Sequence, residues 1–167
     1  MIKYFAYGSN MYTARLIKRK IHSKKIDNGK LVGYKLKFNK RSIDKSAKAT
    51  IFKTCKSQDV VLGVIFEISE LDLPKLDNAE GVGYGYNKEW INVIDNKNNK
   101  HNVLVYIADE SYIDNSLFPY LWYMKYIIEG AKEHNLPLEY IDELKGINSI
   151  EDKDAARRNI ELANFKT

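Results

Sequence analysis

Hydrophobic and polar residues alternate along most of the first two thirds of the chain, and apolar residues recur at helical spacing in the last third. Alternation is typical of strands with one buried face, whereas apolar residues three and four positions apart are typical of amphipathic helices. The pattern predicts six strands, at residues 2–7, 30–39, 47–54, 60–68, 87–94 and 101–108. It predicts helices at residues 11–20, 69–76, 138–145 and 150–164, and another that begins at Pro119 and is stopped by Leu136-Pro137.

The order of these elements indicates the fold class. Strands predominate first and helices follow, and no linker or internal repeat divides the 167 residues. Such an order favours a mixed α+β domain built on one sheet, which can curl into a barrel. We therefore predict a single domain over residues 1–167, large enough to bury about two thirds of its unfolded surface.

A tight turn follows the first strand at once, in Tyr7-Gly8-Ser9-Asn10. Asn10 is a favourable N-cap for the helix predicted from Met11. Backbone N–H groups in such a turn point at one place, where they can hold a carboxylate, a phosphate or a carbonyl oxygen. The turn is a candidate anion pocket, and the alternative is a strand that merely ends in turn residues.

The formal charge of +5 conceals a strong asymmetry along the chain. Through Lys56 there are sixteen Lys or Arg against two Asp, and beyond it eleven against twenty Asp or Glu. The basic residues are dispersed as in Lys35-Leu36-Lys37, which is typical of the solvent face of a strand. We therefore expect no specific nucleic-acid binding, although a positive face would raise the encounter rate with an anionic substrate.

The single cysteine, Cys55, excludes an intrachain disulfide and is typical of a reducing compartment. Its surroundings predict a small strand residue and not a nucleophile. No apolar run reaches the roughly 20 residues of a membrane helix, and the start lacks the sections of a signal peptide. These features predict a cytoplasmic protein that makes no membrane contact.

Three segments resemble the γ-glutamylcyclotransferase family and its AIG2-like relatives. They are Tyr4-Phe5-Ala6-Tyr7-Gly8-Ser9-Asn10-Met11, Leu76-Asp77-Asn78-Ala79-Glu80-Gly81-Val82 and the segment from Gly130 to Tyr140, which contains Leu136-Pro137. They occur in the family's order, so the resemblance covers about residues 2–147. Residues 148–167 have no clear match and are predicted to form a helical C-terminal extension.

The resemblance implies a small closed β-barrel flanked by helices, and an enzyme that needs no metal or cofactor. It implies Glu80 as the catalytic residue and a small γ-glutamyl compound as the substrate. The substrate-binding residues that it implies are Tyr4, Phe5, Ala6, Tyr7, Gly8, Ser9, Tyr106 and Tyr123. We add Asn10, the next residue of the turn, as a candidate. From sequence alone, Tyr106 and Tyr123 could equally be packing residues, since twelve tyrosines occur in the chain.

One glutamate can suffice for the implied reaction. A γ-glutamyl compound carries its nucleophile, the α-amine, on the molecule whose γ-carbonyl it attacks, so ring closure to 5-oxoproline is already favoured. A base must remove a proton from the ammonium group and an acid must protonate the leaving amine, and one carboxylate can do both. We expect Glu80 at a helix end in an apolar neighbourhood that raises its pKa. Without the resemblance, a solvated helix-end glutamate would be the better interpretation.

Some positions depart from the family pattern. The family often has a tyrosine seven residues after the catalytic glutamate, where this chain has Asn87, with Tyr84 and Tyr86 nearby.

Three histidines, at positions 22, 101 and 134, show no metal-binding spacing and are expected on the surface. Ser9 lacks the Gly-x-Ser-x-Gly elbow of many serine hydrolases.

Two alternatives stay open. One is the removal of a γ-glutamyl protecting group from a biosynthetic intermediate, within the same chemistry. The other is a non-catalytic binding module that docks an acidic partner through its basic first third. A homodimer is also compatible with the sequence.

Overall fold

A computed structural model describes residues 1–165 of the chain, so Lys166 and Thr167, at the end of the predicted domain and C-terminal extension, lie outside the described residues. The strands are β1 (Ile2–Ala6), β2 (Ser23–Val32), β3 (Tyr34–Arg41), β4 (Ala47–Lys53), β5 (Val60–Ile68), β6 (Tyr86–Asp95) and β7 (Lys100–Ala108). The α-helices are α1 (Thr13–Lys18), α2 (Leu73–Glu80), α3 (Leu121–Glu133), α4 (Leu138–Lys145) and α5 (Ala155–Ala163). Short 3₁₀ turns occur at Ser9–Met11, Glu70–Asp72 and Glu110–Tyr112.

Five strands form a closed barrel in the order β1-β5-β2-β6-β7. Neighbouring strands are antiparallel except where β1 meets β7 in parallel, with Tyr4 beside Leu104, and this contact closes the barrel. Strands β3 and β4 pair with each other as a separate two-stranded sheet, and Lys40 of β3 also forms an isolated bridge with Ile113. The predicted class, an α+β domain with a small mixed barrel flanked by helices, is confirmed.

The barrel core is packed closely enough to require two glycines on neighbouring strands. A Cβ atom on Gly63 would lie 2.8 Å from the Phe5 ring, and one on Gly29 would lie 3.0 Å from the same ring. Phe5 is fully buried among Ile65, Val93 and other apolar side chains. The inward positions of β1, β2, β5 and β6 thus meet around one aromatic ring.

The predicted strand at residues 30–39 is wrong as a single element. Strand β2 begins at Ser23 and ends at Val32, and β3 begins after Gly33. Gly33 has φ +83, a left-handed conformation that glycine adopts without strain, and this conformation separates the barrel strand from the two-stranded sheet. The alternation of Lys and apolar residues continues across Gly33, so periodicity did not mark the break.

Two predicted helices are shorter than expected. The segment predicted as a helix over residues 11–20 consists of the Ser9–Met11 turn and α1, and the Asn10 side chain makes no capping bond. The last helix begins at Ala155 and not at residue 150, because the Asp154 side chain caps it by accepting a bond from the Arg157 N–H. Ile150 instead pairs with Tyr120 in an isolated bridge.

Two expectations about single residues are also corrected. Cys55 is exposed just beyond β4, in a left-handed conformation with φ 57, and is not part of a strand. His134 is buried, because its ring packs against Phe66 and its Nε2 lies 2.8 Å from the Met11 carbonyl oxygen. His101 is largely buried beside Asp95, and only His22 has an exposed side chain.

None of the helices in residues 1–165 has the length and hydropathy needed to span a membrane. Within the same residues, no group of three or more His, Cys, Asp or Glu side chains is arranged to hold a metal ion.

Candidate active site

A cleft at the end of β1 contains most of the residues that the sequence singles out. It encloses about 320 Å³ of empty space that opens to solvent. Its lining residues are Tyr4, Tyr7, Gly8, Ser9, Asn10, Ala49, Glu80, Tyr86, Tyr106 and Tyr123. Phe5 and Ala6 are buried but do not line the cleft. Successive side chains of a strand point to opposite faces, so Phe5 enters the barrel core while Tyr4 faces the cleft.

The turn after β1 forms one wall of the cleft. The Met11 N–H donates to the Gly8 carbonyl oxygen at 3.0 Å and closes the turn. The N–H groups of Gly8, Ser9 and Asn10 then have no backbone acceptor within residues 1–165. A Cβ on Gly8 would lie 3.3 Å from the Ala49 Cβ and 3.6 Å from the Tyr123 hydroxyl, so the first of these contacts would be tighter than usual.

Glu80 reaches the cleft from the last position of α2. Gly81 ends that helix in a left-handed conformation with φ 66, and the chain then turns away. The Oε1 atom of Glu80 accepts bonds from Asn10 Nδ2 and Arg19 Nη1, each at 2.8 Å. Its Oε2 atom has no hydrogen-bond partner in the described part of the chain. The carboxylate is therefore held through one oxygen, and the side chain is 17% exposed.

The surroundings of Glu80 are polar, and the expected apolar neighbourhood is wrong. Arg19 forms an ion pair with the carboxylate and also donates to Asn10 Oδ1 at 2.6 Å. Asn10 Nδ2 in turn lies 3.0 Å from the Tyr4 hydroxyl. Asn10, Arg19 and Glu80 therefore form a closed ring of hydrogen bonds, in which each side chain fixes the other two.

Four tyrosine side chains in the cleft are buried, three of them anchored on backbone atoms and the fourth, Tyr4, on the Asn10 side chain. Tyr86 donates to the Ala49 carbonyl oxygen at 2.6 Å, and the Tyr123 hydroxyl accepts from the Ala49 N–H at 3.0 Å. The Tyr7 hydroxyl donates to the carbonyl oxygen of Tyr106. Tyr4 and Tyr123 accept bonds in these contacts, so their hydroxyl protons stay available to a ligand in the cleft.

Burial keeps these phenols neutral. It raises the pKa of Tyr123 to about 12 and raises the pKa of Tyr4 well above its usual value. Burial also raises the pKa of Tyr106, and the hydrogen bond that this hydroxyl donates to Asp77 Oδ1 at 2.7 Å acts in the same direction. All three are hydrogen-bond donors at neutral pH.

Sequence reasoning missed four residues at this site. Arg19 was assigned to a solvated basic block, and Asp77, which holds Tyr106, was noted only as part of a matching segment. Tyr86 enters the cleft six residues after Glu80, whereas the Asn87 side chain bonds Asp109 at the surface. The tyrosine expected near position 87 is thus supplied one residue earlier. Ala49, whose backbone anchors Tyr86 and Tyr123, carried no sequence signal.

Comparison with known proteins identifies the family. The model of the AIG2-like family matches residues 60–144. Human γ-glutamylcyclotransferase is 34% identical over 151 residues, which cover 86% of this chain and 77% of the human protein. The chain belongs to the γ-glutamylcyclotransferase family. The bovine γ-glutamylcyclotransferase is 33% identical over 156 residues, or 90% of this chain and 79% of the relative.

Solved structures of this family share the whole fold. A human structure described as an uncharacterized protein has a TM-score of 0.87 at 30% identity, covering 99% of this chain and 98% of that one. A structure described as γ-glutamyl cyclotransferase has a TM-score of 0.84 at 28% identity, covering 97% and 98% of the two chains. The similarity includes the C-terminal region around α5, beyond the segments that the sequence motifs covered.

Proposed function

We propose that this protein cyclises a small γ-glutamyl compound to 5-oxoproline and releases the free amine, with Glu80 as the group that moves the proton. The observation that carries the proposal is a single carboxylate, fixed by Asn10 and Arg19, in a tyrosine-lined cleft beside an open turn. The names of the relatives support the same chemistry. The reaction needs no metal or cofactor, because the nucleophile and the electrophile belong to one molecule. We also propose that the protein is cytoplasmic, because a single cysteine without a disulfide is typical of a reducing compartment.

The hydrogen bonds of Glu80 are compatible with the proton transfers. Oε1 is occupied by two donors, which leaves Oε2 to take a proton from the substrate ammonium group. The α-nitrogen then attacks the γ-carbonyl carbon, and a C–N bond closes the five-membered ring. The bond from that carbon to the leaving nitrogen breaks, and the proton held on Glu80 passes to the departing nitrogen. The carboxylate then carries a second proton from the ring nitrogen to the amine, so that the ring nitrogen keeps one hydrogen and the amine leaves as an ammonium group. Proton count and charge balance without any covalent enzyme intermediate.

The glutamyl part of the substrate would occupy the cleft between the turn and the tyrosines. The N–H groups of Gly8, Ser9 and Asn10, which have no backbone acceptor in the described part of the chain, would meet a carboxylate or the oxyanion that develops on the γ-carbonyl. Tyr4 and Tyr123 would add hydroxyl donors next to the turn. Donors fixed before the substrate arrives stabilise developing charge without reorganisation.

The test is 5-oxoproline release from a panel of γ-glutamyl dipeptides and γ-glutamyl amines. Glu80→Gln keeps the size of the side chain and an oxygen for Asn10 and Arg19, but it removes the base. We expect kcat to fall by roughly 10² to 10⁴ while substrate binding by calorimetry persists. Glu89→Gln, an exposed glutamate on β6, is the matched control and should behave like the wild type.

Activity of Glu80→Gln near the wild-type level would contradict the role of Glu80. If the wild type releases 5-oxoproline from no member of the panel, a dedicated γ-glutamyl intermediate or a non-catalytic binding module would be favoured instead.

A further inference from the structure

A second, larger cavity adjoins the cleft and shares Glu80, Ser9, Tyr86 and Tyr123 with it. It has about 790 Å³ of empty space that is open to solvent. Five cationic side chains line it: Arg15, Arg19, Lys40, Lys48 and Arg157. Only three carboxylates do so: Asp44, Glu80 and Glu161. We refer to this cavity as the cationic chamber.

Four of the five cations already have carboxylate partners. Arg19 pairs with Glu80 at 2.8 Å and Arg15 with Glu161 at 3.4 Å. Lys48 and Arg157 pair with Asp44 and Asp152, each at 2.6 Å. These pairs use all the carboxylates that line the chamber.

Lys40 is the exception. The residue as a whole is only 7% exposed, and within residues 1–165 its ammonium group has neither a carboxylate partner nor a hydrogen bond, while its Nζ atom stays open to the solvent of the chamber. The Nζ atom lies 4.8 Å from the centre of the Tyr86 ring and 5.8 Å from that of Tyr112. Aromatic faces attract a cation, but they do not replace the hydrogen bonds that an ammonium group makes in water.

Two features of the backbone determine the position of the Lys40 side chain. Strand β3 has a register irregularity between Phe38 and Lys40, which changes the direction of the side chain. Across the gap, a Cβ on Gly85 would lie 2.6 Å from both Cε and Nζ of Lys40. Gly85 also has φ +150, which side-chain-bearing residues rarely adopt. The chain therefore keeps space for this ammonium group beside a tyrosine of the cleft.

Glu80 stands where the cleft and the chamber meet, so the scissile bond would lie at the same boundary. With the glutamyl group in the cleft, the leaving amine and its substituents would enter the chamber. Burial lowers the pKa of Lys40, whereas the charges of Glu80 and Asp44 act against this effect. A buried cation without a carboxylate partner is stabilised by an anion that arrives with the ligand.

We propose that Lys40 binds the carboxylate of an amino-acid leaving group and makes the enzyme prefer γ-glutamyl-amino acids to γ-glutamyl amines without a negative charge. This inference rests on the proposed function, because it takes the chamber as the leaving-group side of the scissile bond. Lys40 is then a specificity-determining residue and takes no part in proton transfer.

The test compares two substrates that differ only in this charge, γ-glutamyl-alanine and γ-glutamyl-alaninamide. We expect the wild type to prefer the carboxylate substrate about 10- to 100-fold in kcat/KM, because one charge-assisted hydrogen bond contributes a factor of this size. Lys40→Met keeps the length of the stem and removes the charge. It should lower kcat/KM for the carboxylate substrate by about the same factor, with a much smaller change for the amide.

Two further variants control the experiment. Lys37→Met makes the same change at an exposed position of β3 and should keep the wild-type preference. Lys40→Arg keeps the charge and should retain most of the preference. The preference of the wild type is measurable even if Lys40→Met does not fold, as judged by circular dichroism.

The outcomes are distinguishable. If the wild type processes both substrates equally, or if Lys40→Met slows both by the same factor, the assignment of Lys40 is wrong and the cyclotransferase proposal is unaffected. If neither substrate releases 5-oxoproline, the proposed function fails, and the role of Lys40 fails with it.

Discussion

At the scale of single residues, the site depends on one amide side chain. Asn10 donates through Nδ2 to Glu80 and contacts the Tyr4 hydroxyl with the same atom, while its Oδ1 accepts from Arg19. No other side chain of this size combines two donors with an acceptor in this arrangement. Asn10 is therefore a positioning residue for the carboxylate that we assign to proton transfer.

Asn10→Asp tests this positioning role. The substitution keeps the shape and the acceptor for Arg19, but it removes both donors and places a second carboxylate beside Glu80. We expect kcat to fall by about 10- to 100-fold while KM changes much less, because like charges repel and the fixed orientation of Glu80 is lost.

Steady-state kinetics on γ-glutamyl-alanine, with thermal unfolding measured in parallel, would check this expectation. Asn92→Asp, at an exposed position of β6, is the matched control. If the lost activity of Asn10→Asp follows its lost folded fraction, or if KM rises and kcat does not fall, Asn10 does not act by positioning Glu80.

At the scale of elements, α3 holds the turn that forms one wall of the cleft. A Cβ on Gly130 would lie 2.5 Å from the Tyr12 nitrogen and 2.7 Å from the Met11 carbonyl carbon. The two backbones therefore touch directly. His134, just after α3, adds a bond from its ring Nε2 to the Met11 carbonyl oxygen. Burial lowers the pKa of His134, so the ring is a neutral donor at this position.

Gly130→Ala should separate α3 from this turn. The contact is with backbone, which cannot rotate away, so we expect a loss of about 1 to 3 kcal/mol in the free energy of unfolding. Because the displaced segment adjoins Asn10, kcat should also fall. Urea denaturation followed by circular dichroism gives the first quantity, and 5-oxoproline release gives the second.

Gly146→Ala provides the comparison at the end of α4. There the backbone is helical, with φ −74, and the nearest atom to a new Cβ is 3.4 Å away. We expect no loss of stability or activity, and a gain of up to about 1 kcal/mol is possible from the lower entropy of the unfolded chain. Equal behaviour of the two variants would show that α3 does not need the close approach.

At the scale of the whole molecule, buried tyrosines dominate the titration behaviour at high pH. Burial raises the pKa of Tyr123 and of Tyr126 to about 12, and it raises the pKa of seven others. Those seven are Tyr4, Tyr7, Tyr34, Tyr86, Tyr106, Tyr120 and Tyr140. In the unfolded chain all of them would titrate near pH 10.

The tyrosines predict a steep loss of stability above pH 10. A phenol whose pKa is raised on folding contributes stability that is present below its unfolded pKa and is lost as the pH rises through its folded pKa. Each such tyrosine lowers the free energy of unfolding by about 1.4 kcal/mol per pH unit in that window. Lys48, with a pKa lowered to about 8 by burial, and Lys40, whose pKa burial also lowers, act in the opposite direction, but these two groups are outnumbered by the tyrosines.

Urea midpoints between pH 8 and 12, with phenolate absorbance recorded in the same samples, measure this effect. The phenols whose pKa is raised by burial should ionise only as the chain unfolds. A flat stability profile up to pH 12 would contradict the burial of the tyrosine cluster.

Local sequence patterns predict most of the elements and the candidate chemistry of the site. Alternation and helical spacing located most strands and helices, and the Gly8-Ser9-Asn10 turn and the Glu80 segment identified the candidate chemistry before any fold was known. These features are encoded over a few neighbouring residues, in side-chain periodicity and in turn-forming residue types. Such local signals can be interpreted without knowledge of contacts between distant parts of the chain.

Only the tertiary structure decided which side chains act together. Arg19 and Glu80 are 61 positions apart, and the sequence around either residue does not indicate that the two side chains are in contact. Lys35 and Lys37 are exposed as the alternation predicted, yet Lys40, three residues further on, is buried beside the rings of Tyr86 and Tyr112, which come from distant parts of the chain. Hydrogen bonds and burial depend on which segments the closed barrel brings together, and that depends on contacts across the whole chain.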